Sequence, residues 1–465
     1  MTCSLDFVDS IVASPTIRLS LADSVTWILG RDGTDFSPPP LRRAVASTLL
    51  QDGATIPSSA YDLRRITLEL TLATTTADAT ATALQALHRE LDRPGGNILR
   101  WWEHTTNPVF FRTFRTSAES VRRHGYTEGK QKRILVDLLD EPFAYGLLET
   151  PVSAQTVATN PASANGNFRD VTGVKGDVET PALIRWPASG VVADRETLFA
   201  IRRRGTPSGL PFLFQAEAMA QGTDTATQAN DAAFSGSGNN YSRCTFATFT
   251  TDQNRLSLTD LGTASVDLRG RYRVFARYRK NTAGDDIVLK LRWGTSFSAD
   301  TTTNTAFTTP NVATLCMADL GEIQIPRGRD PVTNFRDGPP TWVSNSFYLS
   351  LRAQRVSGSG TLDVDYLILV PSDDRLAIVK WAEAGPDRWW LDAEDDSVHA
   401  RNSSDQIATG TPPMLAGGLP MLTPNQTNRL FMVYEMGAGL TTTLTTVTVT
   451  VSYFPRYLSV RPAST

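Results

Sequence analysis

Cysteine is nearly absent from this chain: Cys3, Cys244 and Cys316 are all there are in 465 residues. Three thiols so far apart make no disulfide framework, and no Cys-x-x-Cys pair offers a zinc site. Cys244 and Cys316 fall in the same internal segment, where they are either buried free thiols or partners across a sheet. Charge of one sign is also lacking. Lys plus Arg number 45 against 48 Asp plus Glu, a formal charge of −3, so the chain has no global attraction for nucleic acid or an anionic membrane. No run approaches the ~18 apolar residues of a membrane-spanning helix. The start, Met1-Thr2-Cys3-Ser4-Leu5-Asp6, lacks the basic residues and apolar centre of a signal peptide.

Catalytic signatures are missing as well. His88, His104, His124 and His399 show no His-Glu-x-x-His or His-x-x-x-His spacing, and no Gly-x-Ser-x-Gly elbow occurs. Gly125-Tyr-Thr-Glu-Gly129-Lys130 is one residue too short for a phosphate loop. Asp395-Asp396 is a carboxylate pair of the type glycoside cleavage uses, but adjacent acids are common and sequence does not give their separation in space. The expectation is a protein that is not an enzyme. Basic clusters at Arg64-Arg65, Arg122-Arg123-His124 and Arg202-Arg203-Arg204 are short and offset by nearby acids, which fits solvated faces or subunit contacts and no sequence-specific nucleic acid partner.

What the chain has in abundance is period-two alternation. In residues 1–150, Ile17, Leu19 and Leu21 sit two apart, as do Val25, Trp27 and Leu29, and the run Ile66, Leu68, Leu70, Leu72 places four large side chains on one strand face. Ile98 to Trp102, Val109 to Phe114 and Arg133 to Leu139 add further strands. One segment departs from this pattern. Asp78 to Arg93 carries Leu84, Leu87 and Leu91 at helical spacing, threonines upstream as caps, and Pro94-Gly95-Gly96 as a stop. The first domain therefore reads as a β-barrel or sandwich with one α-helix.

A chain of this length exceeds the ~300 residues at which single cores stop growing, so more than one domain is expected. Residues 151–172 are small, polar and broken by Pro and Asn, as in a linker or an extended connecting strand. A second β body begins with Leu183 to Pro187 and Leu198 to Ile201 but does not finish there. Its missing half lies at the other end, in Leu376 to Trp381, Trp389 to Asp392, Leu430 to Tyr434 and the alternation Val447, Val449, Val451, Tyr453. Residues 173–209 and 374–465 thus read as one discontinuous C-terminal sandwich, interrupted by an inserted β-sandwich domain at 210–373. The fold class expected is mainly β.

Two resemblances follow from particular phrases. Strands, one Leu-rich helix ended by a Gly-rich turn, aromatic strands and the closing Glu141-Pro142-Phe143-Ala144-Tyr145 resemble the ring-forming belt domain of distal tail proteins of long-tailed bacteriophages. Gly417-Gly418-Leu419-Pro420-Met421-Leu422-Thr423-Pro424-Asn425 through Asn428 is similar to the turn that closes the C-terminal domains of distal and minor tail proteins. Asn425 stands where that family has Gly, and both residue types tolerate positive φ. The resemblance implies a homohexameric ring at the tail tip of a virion, made in the host cytoplasm and in contact with tail tube, tail hub and tape-measure proteins.

Within 210–373, the phrases Gln215-Ala216-Glu217, Gly236 to Arg243, Gly270 to Arg279 and Leu362 to Leu369 occur in the order seen in galactose-binding-like carbohydrate-binding modules, which are jelly-roll sandwiches. That resemblance implies a structural calcium held by Gln215, Glu217 and Asp365, with Gln215 in place of the family's first Glu, since hard oxygen ligands on paired terminal strands suit this ion. It also implies a glycan site. Sugar recognition needs a flat aromatic face and polar contacts to hydroxyls, for which Tyr241, Trp293 and Trp342 are candidate platforms and Asn240 a candidate polar contact. Each of those aromatics is equally suited to a core. The implied role is host cell-wall glycan attachment; a purely structural tail protein and a secreted carbohydrate-binding accessory protein are the alternatives.

Overall fold

The computed structural model describes residues 3–30, 33–47, 54–103, 107–115, 121–127, 131–158, 168–187, 193–204, 213–235, 238–248, 250–258, 270–294, 301–303, 306–325, 348–373, 375–382, 388–404, 406–440 and 446–460. The protein is mainly β, with one α-helix among these residues. It divides into two units. The first takes Met1–Glu149, Val174–Thr180 and Tyr453–Thr465; the second takes Thr150–Gly173 and Pro181–Ser452.

In the first unit a twisted antiparallel sheet runs in the order Ile17–Ser20, Ser4–Val8, Asn97–Trp102, Val109–Thr113, Gln131–Asp140, Arg64–Ala73, Trp27–Leu29. Ile66, Leu68, Leu70 and Leu72 are wholly buried, as their alternation requires. Against them packs the helix Ala77–Leu91 through Leu84, Leu87 and Leu91. The Thr76 hydroxyl caps its start by accepting from the Ala79 amide at 3.1 Å. After it, Gly96 adopts a φ of +80°, and any Cβ there would lie 2.2 Å from the Thr113 carbonyl oxygen. The chain's last strand returns to this unit, where Arg456–Tyr457 pairs with Ala144–Tyr145. Leu41–Ser47 and Ala54–Tyr61 form a two-stranded sheet of their own.

The second unit holds two five-stranded sheets. One runs Glu149–Ala158, Thr446–Tyr453, Leu183–Pro187, Arg388–Asp392, Ser397–Arg401, and the other Phe168–Val171, Thr427–Met436, Glu196–Arg204, Leu376–Lys380, Met414–Gly417. Strands from residues 173–209 therefore interleave with strands from 374–465. Glu149–Ala158 and Phe168–Val171 each lie at the edge of one of these sheets. Between the sheets, Trp186 contacts Phe199, Trp381 and Tyr434 at ring-centroid separations of 5.5, 6.4 and 5.4 Å. The Trp381 indole N–H donates to the Thr197 hydroxyl at 2.9 Å, so its one polar atom is satisfied in the core. Asn425 has a φ of +58°. Three residues on, the buried Asn428 amide donates to the carbonyls of Thr423 and Gln426 at 2.9 and 3.2 Å, and its oxygen accepts from the Thr423 amide at 2.8 Å, locking the turn.

The segment between the paired strands Glu196–Arg204 and Leu376–Lys380 forms a lobe of two further sheets. One is built on Leu362–Pro371, flanked by Gly270–Lys280 on one side and by Tyr241–Cys244 and Leu213–Gln215 on the other. The second is built on Tyr348–Ser357, between Gln253–Leu258 and Asp286–Gly294. The lobe is not sealed off from its host. Its core is continuous with Leu198, Ala200, Phe431 and Val433, which alternate with Phe199 on the facing side of the host sheet. Ala438–Leu440, from the host's later part, also adds a strand beside Leu315–Ile325. A sheet covered on both faces needs unbroken apolar runs, which is why Leu198 to Ile201 and Leu430 to Val433 are all buried. Cys244 and Cys316 are free and buried, and burial pushes the Cys244 thiol up to about 11.

Candidate functional site in the inserted lobe

The strand Leu362–Pro371 has both faces covered, yet carries Asp363 and Asp365 two residues apart, both wholly buried. Alternation puts the two carboxylates on one face, and neighbouring strands meet them with arginines. Arg243 lies directly across from Asp363 on one side and Arg279 on the other. Arg243 makes a two-pronged contact with Asp363 at 2.6 and 2.9 Å, a geometry suited to its planar fork. Arg279 donates to Asp363 at 3.0 Å and to Asp231 at 2.7 Å. Over this ladder lie Phe234 and Tyr241, stacked with centroids 4.3 Å apart. Arg279 sits 4.7 Å from the Phe234 ring and Arg243 5.3 Å from that of Tyr241.

The ladder sets its own electrostatics. The Asp363 hydrogen bonds hold the Arg243 guanidinium above its ordinary value. At Asp231, burial works upward, but the Ala233 amide and Arg279 outweigh it and the carboxyl sits below its ordinary value. Arg243, Arg279 and Asp231 are half-buried, so the ladder presents polar groups at the rim of the lobe.

The calcium residues expected from sequence are only partly brought together. Asp365 accepts from the Ser235 amide at 2.8 Å and the Ser235 hydroxyl at 2.9 Å, and its other oxygen accepts from Arg277. The Gln215 side-chain oxygen accepts from the same hydroxyl at 3.2 Å, while Glu217 lies in the short 3-10 turn Ala216–Ala218. This donor set does not fit a calcium ion. The guanidinium of Arg277, itself 1% exposed, stands against the carboxylate where a metal would have to bind, and two donors fill the other oxygen. Among the described residues no group of three or more His, Cys, Asp or Glu side chains is placed to hold a metal.

The expected sugar platform is also revised. Tyr241 is 5% exposed, covered by Phe234 and Arg243, so its ring offers no open face. Its burial raises the phenol above the ordinary value. Trp293 is half-buried and packs against the lobe core on the other sheet, opposite Leu349. Asn240 is half-buried beside Tyr241, and Trp342 lies outside the described residues. Asp396, half of the acidic pair weighed for catalysis, accepts from the Leu419 amide at 2.7 Å and from Arg375, a structural cross-link. The residues sequence reasoning passed over are Arg243, Arg277, Arg279 and Asp231. Their available signal was the i, i+2 charge spacing of Arg277 and Arg279 against that of Asp363 and Asp365.

Fold and site together define a mainly β protein of two units, the second of which carries the arginine–aspartate ladder. No family model matches the chain, and no curated protein matches it. Among solved structures it is similar to the SPP1 Dit (gp 19.1) protein, described as a paradigm of the hub adsorption apparatus in Gram-positive infecting phages. That similarity has 8% identity and a TM-score of 0.37, over 98% of this chain and 99% of that one. It is also similar to the phage P2 baseplate in its activated conformation with Ca, at 7% identity and a TM-score of 0.33, over 97% and 98% of the two chains. TmCBM61 in complex with β-1,4-galactotriose aligns over 33% of this chain and 86% of its own, at 12% identity and a TM-score of 0.20.

Proposed function

We propose that this chain is a structural component of a phage tail tip, a distal tail protein whose first unit closes a homohexameric ring beneath the tail tube and against the hub and tape-measure proteins. The observation that carries the reading is the arm Leu41–Ser47/Ala54–Tyr61, which pairs with no third strand of its own chain among the described residues. An isolated two-stranded hairpin is marginal in water, so an arm of this length is stabilised by lying on a neighbour. The main sheet of the same unit ends in two short strands, Ile17–Ser20 and Trp27–Leu29, with Ile17 and Ile28 exposed at opposite ends of the strand order. Two different edges suit a head-to-tail contact repeated by rotation, which is how rings close.

The lobe, carried in six copies, turns weak contacts into firm attachment through effective concentration, and its partner in this reading is a host cell-wall glycan. The half-buried rim of Arg243, Arg279, Asp231 and Asn240 supplies the polar groups for sugar hydroxyls. A second reading, in which the lobe is a structural spacer, is favoured by the closure of Tyr241 beneath Phe234. Particle images and native mass of the full chain, alone and with tail tubes added, test the ring: six-fold rings from the wild type and monomers from a variant with the arm replaced by a short turn support it, and wild-type monomers under both conditions refute it. Pull-down of the full chain on purified cell walls, with and without Arg279→Ala, separates attachment from spacing.

A further inference from the structure

We infer that Arg277 is the built-in cation of the lobe: its guanidinium neutralises Asp365 and ties the 231–235 loop to the terminal strand, a task that a divalent ion performs when hard oxygens converge without a base. The inference concerns how the lobe holds together and stands whether or not the lobe binds glycan.

A carboxylate that is 0% exposed has to be neutralised or paired, because an isolated buried charge is too costly. Here the pairing comes from within the chain. Arg277 directs one nitrogen at Asp365 and, from that same nitrogen, donates to the Ala233 carbonyl at 3.1 Å. The Ser235 amide and hydroxyl complete the other carboxylate oxygen, and the Gln215 amide oxygen meets that hydroxyl. Around that nitrogen stand one carboxylate oxygen and one backbone carbonyl, while the Gln215 amide oxygen lies against the hydroxyl that serves the other carboxylate oxygen. Two oxygens fall well short of the roughly six to eight that calcium takes, so a guanidinium suits this donor set and a divalent ion does not. Arg277 thus supplies the positive charge, the native lobe has no need of a divalent ion, and removing the guanidinium leaves a buried carboxylate without its counter-charge.

The test is hydrogen exchange on the full chain, followed at Leu362–Pro371 and at the 231–235 loop, in millimolar calcium and in chelator. Wild-type protection is expected to be equal in the two conditions. Arg277→Ala is expected to lose at least about 100-fold in protection in both conditions, as for a buried charge pair stripped of one partner. Arg277→Ala/Asp365→Asn, lacking both charges, should regain much of that loss, again without regard to calcium. Arg277→Lys, which keeps the charge, should stay protected and calcium-insensitive, and this variant decides the matter if Arg277→Ala fails to fold. Loss of wild-type protection in chelator overturns the inference. So does an Arg277→Ala protein that keeps its protection, or an Arg277→Lys protein as unprotected as the alanine variant.

Discussion

Arg64 and Asp140 are paired positions on adjacent antiparallel strands, both 0% exposed, yet the Arg64 guanidinium donates to the Leu458 carbonyl and neither carboxylate oxygen of Asp140 has a hydrogen-bond donor. Burial pushes the Asp140 carboxyl well above its ordinary value, with Arg64 opposing and Glu141 adding to the rise. The same burial lowers the Arg64 value. The first unit thus buries two oppositely charged side chains, with the arginine bonded to a backbone carbonyl and the carboxyl without a hydrogen-bond donor.

A pH dependence follows. Above the ordinary carboxylate value of 3.8, unfolded Asp140 gives up its proton while the folded residue keeps it. The folded state then binds more protons at this site, so the contribution of Asp140 to stability is fully present below that ordinary value and is lost as pH rises toward the folded-state value. Asp140→Asn should flatten this decline, seen in denaturant midpoints measured from pH 4 to pH 8. Identical slopes for the two proteins would assign the effect to another group.

Two adjacent glycines separate conformation from crowding. Both Gly95 and Gly96 have positive φ, +83° and +80°, but a Cβ at Gly95 meets nothing within 4 Å, whereas one at Gly96 strikes the Thr113 carbonyl. Gly95→Ala is expected to cost about 1 kcal/mol and Gly96→Ala about 3 kcal/mol or more, read as thermal midpoints. Equal losses would mean that the strand carrying Thr113 yields to the new methyl.

The turn after Leu422 rests on Asn428. Asn428→Ala removes three hydrogen bonds from a buried site and should cost about 2–4 kcal/mol in chemical unfolding. Asn425→Gly, by contrast, relieves a positive-φ side chain and should be neutral or stabilising by a few tenths of a kcal/mol. Destabilisation by the glycine would point to a side-chain role for Asn425.

Thiol counting checks the lobe core. Cys244 and Cys316 are buried and free, while Cys3 is half-buried. A native protein should release one thiol to a colorimetric reagent and three after denaturation, since burial keeps the Cys244 thiolate scarce at neutral pH. Two or more native thiols reacting at once would show that the lobe opens.

Elements governed by local periodicity were legible in the sequence. The run from Ile66 to Leu72 and the helix with its threonine cap follow from spacing that each segment carries within itself. Pairing between distant segments is another matter. Arg277 and Asp365 are 88 residues apart, and their contact depends on the register of two strands with a bulge between Arg277 and Tyr278. Tyr241 looked like a sugar platform because nothing in its neighbourhood announces that Phe234 stacks upon it. The run Leu198 to Ile201 reads as a strand and is one, within Glu196–Arg204, but its lack of alternation does not disclose what covers each of its two faces.

Leu198, Ala200, Phe431 and Val433 weld host and guest into a single hydrophobic mass. Excision of 210–373 would bare that oily patch on both pieces, so neither is expected to survive alone. Any natural or engineered graft of a different lobe onto this scaffold has to bring a matching apolar footprint, which restricts the repertoire of interchangeable attachments far more than a pair of closely spaced chain junctions would.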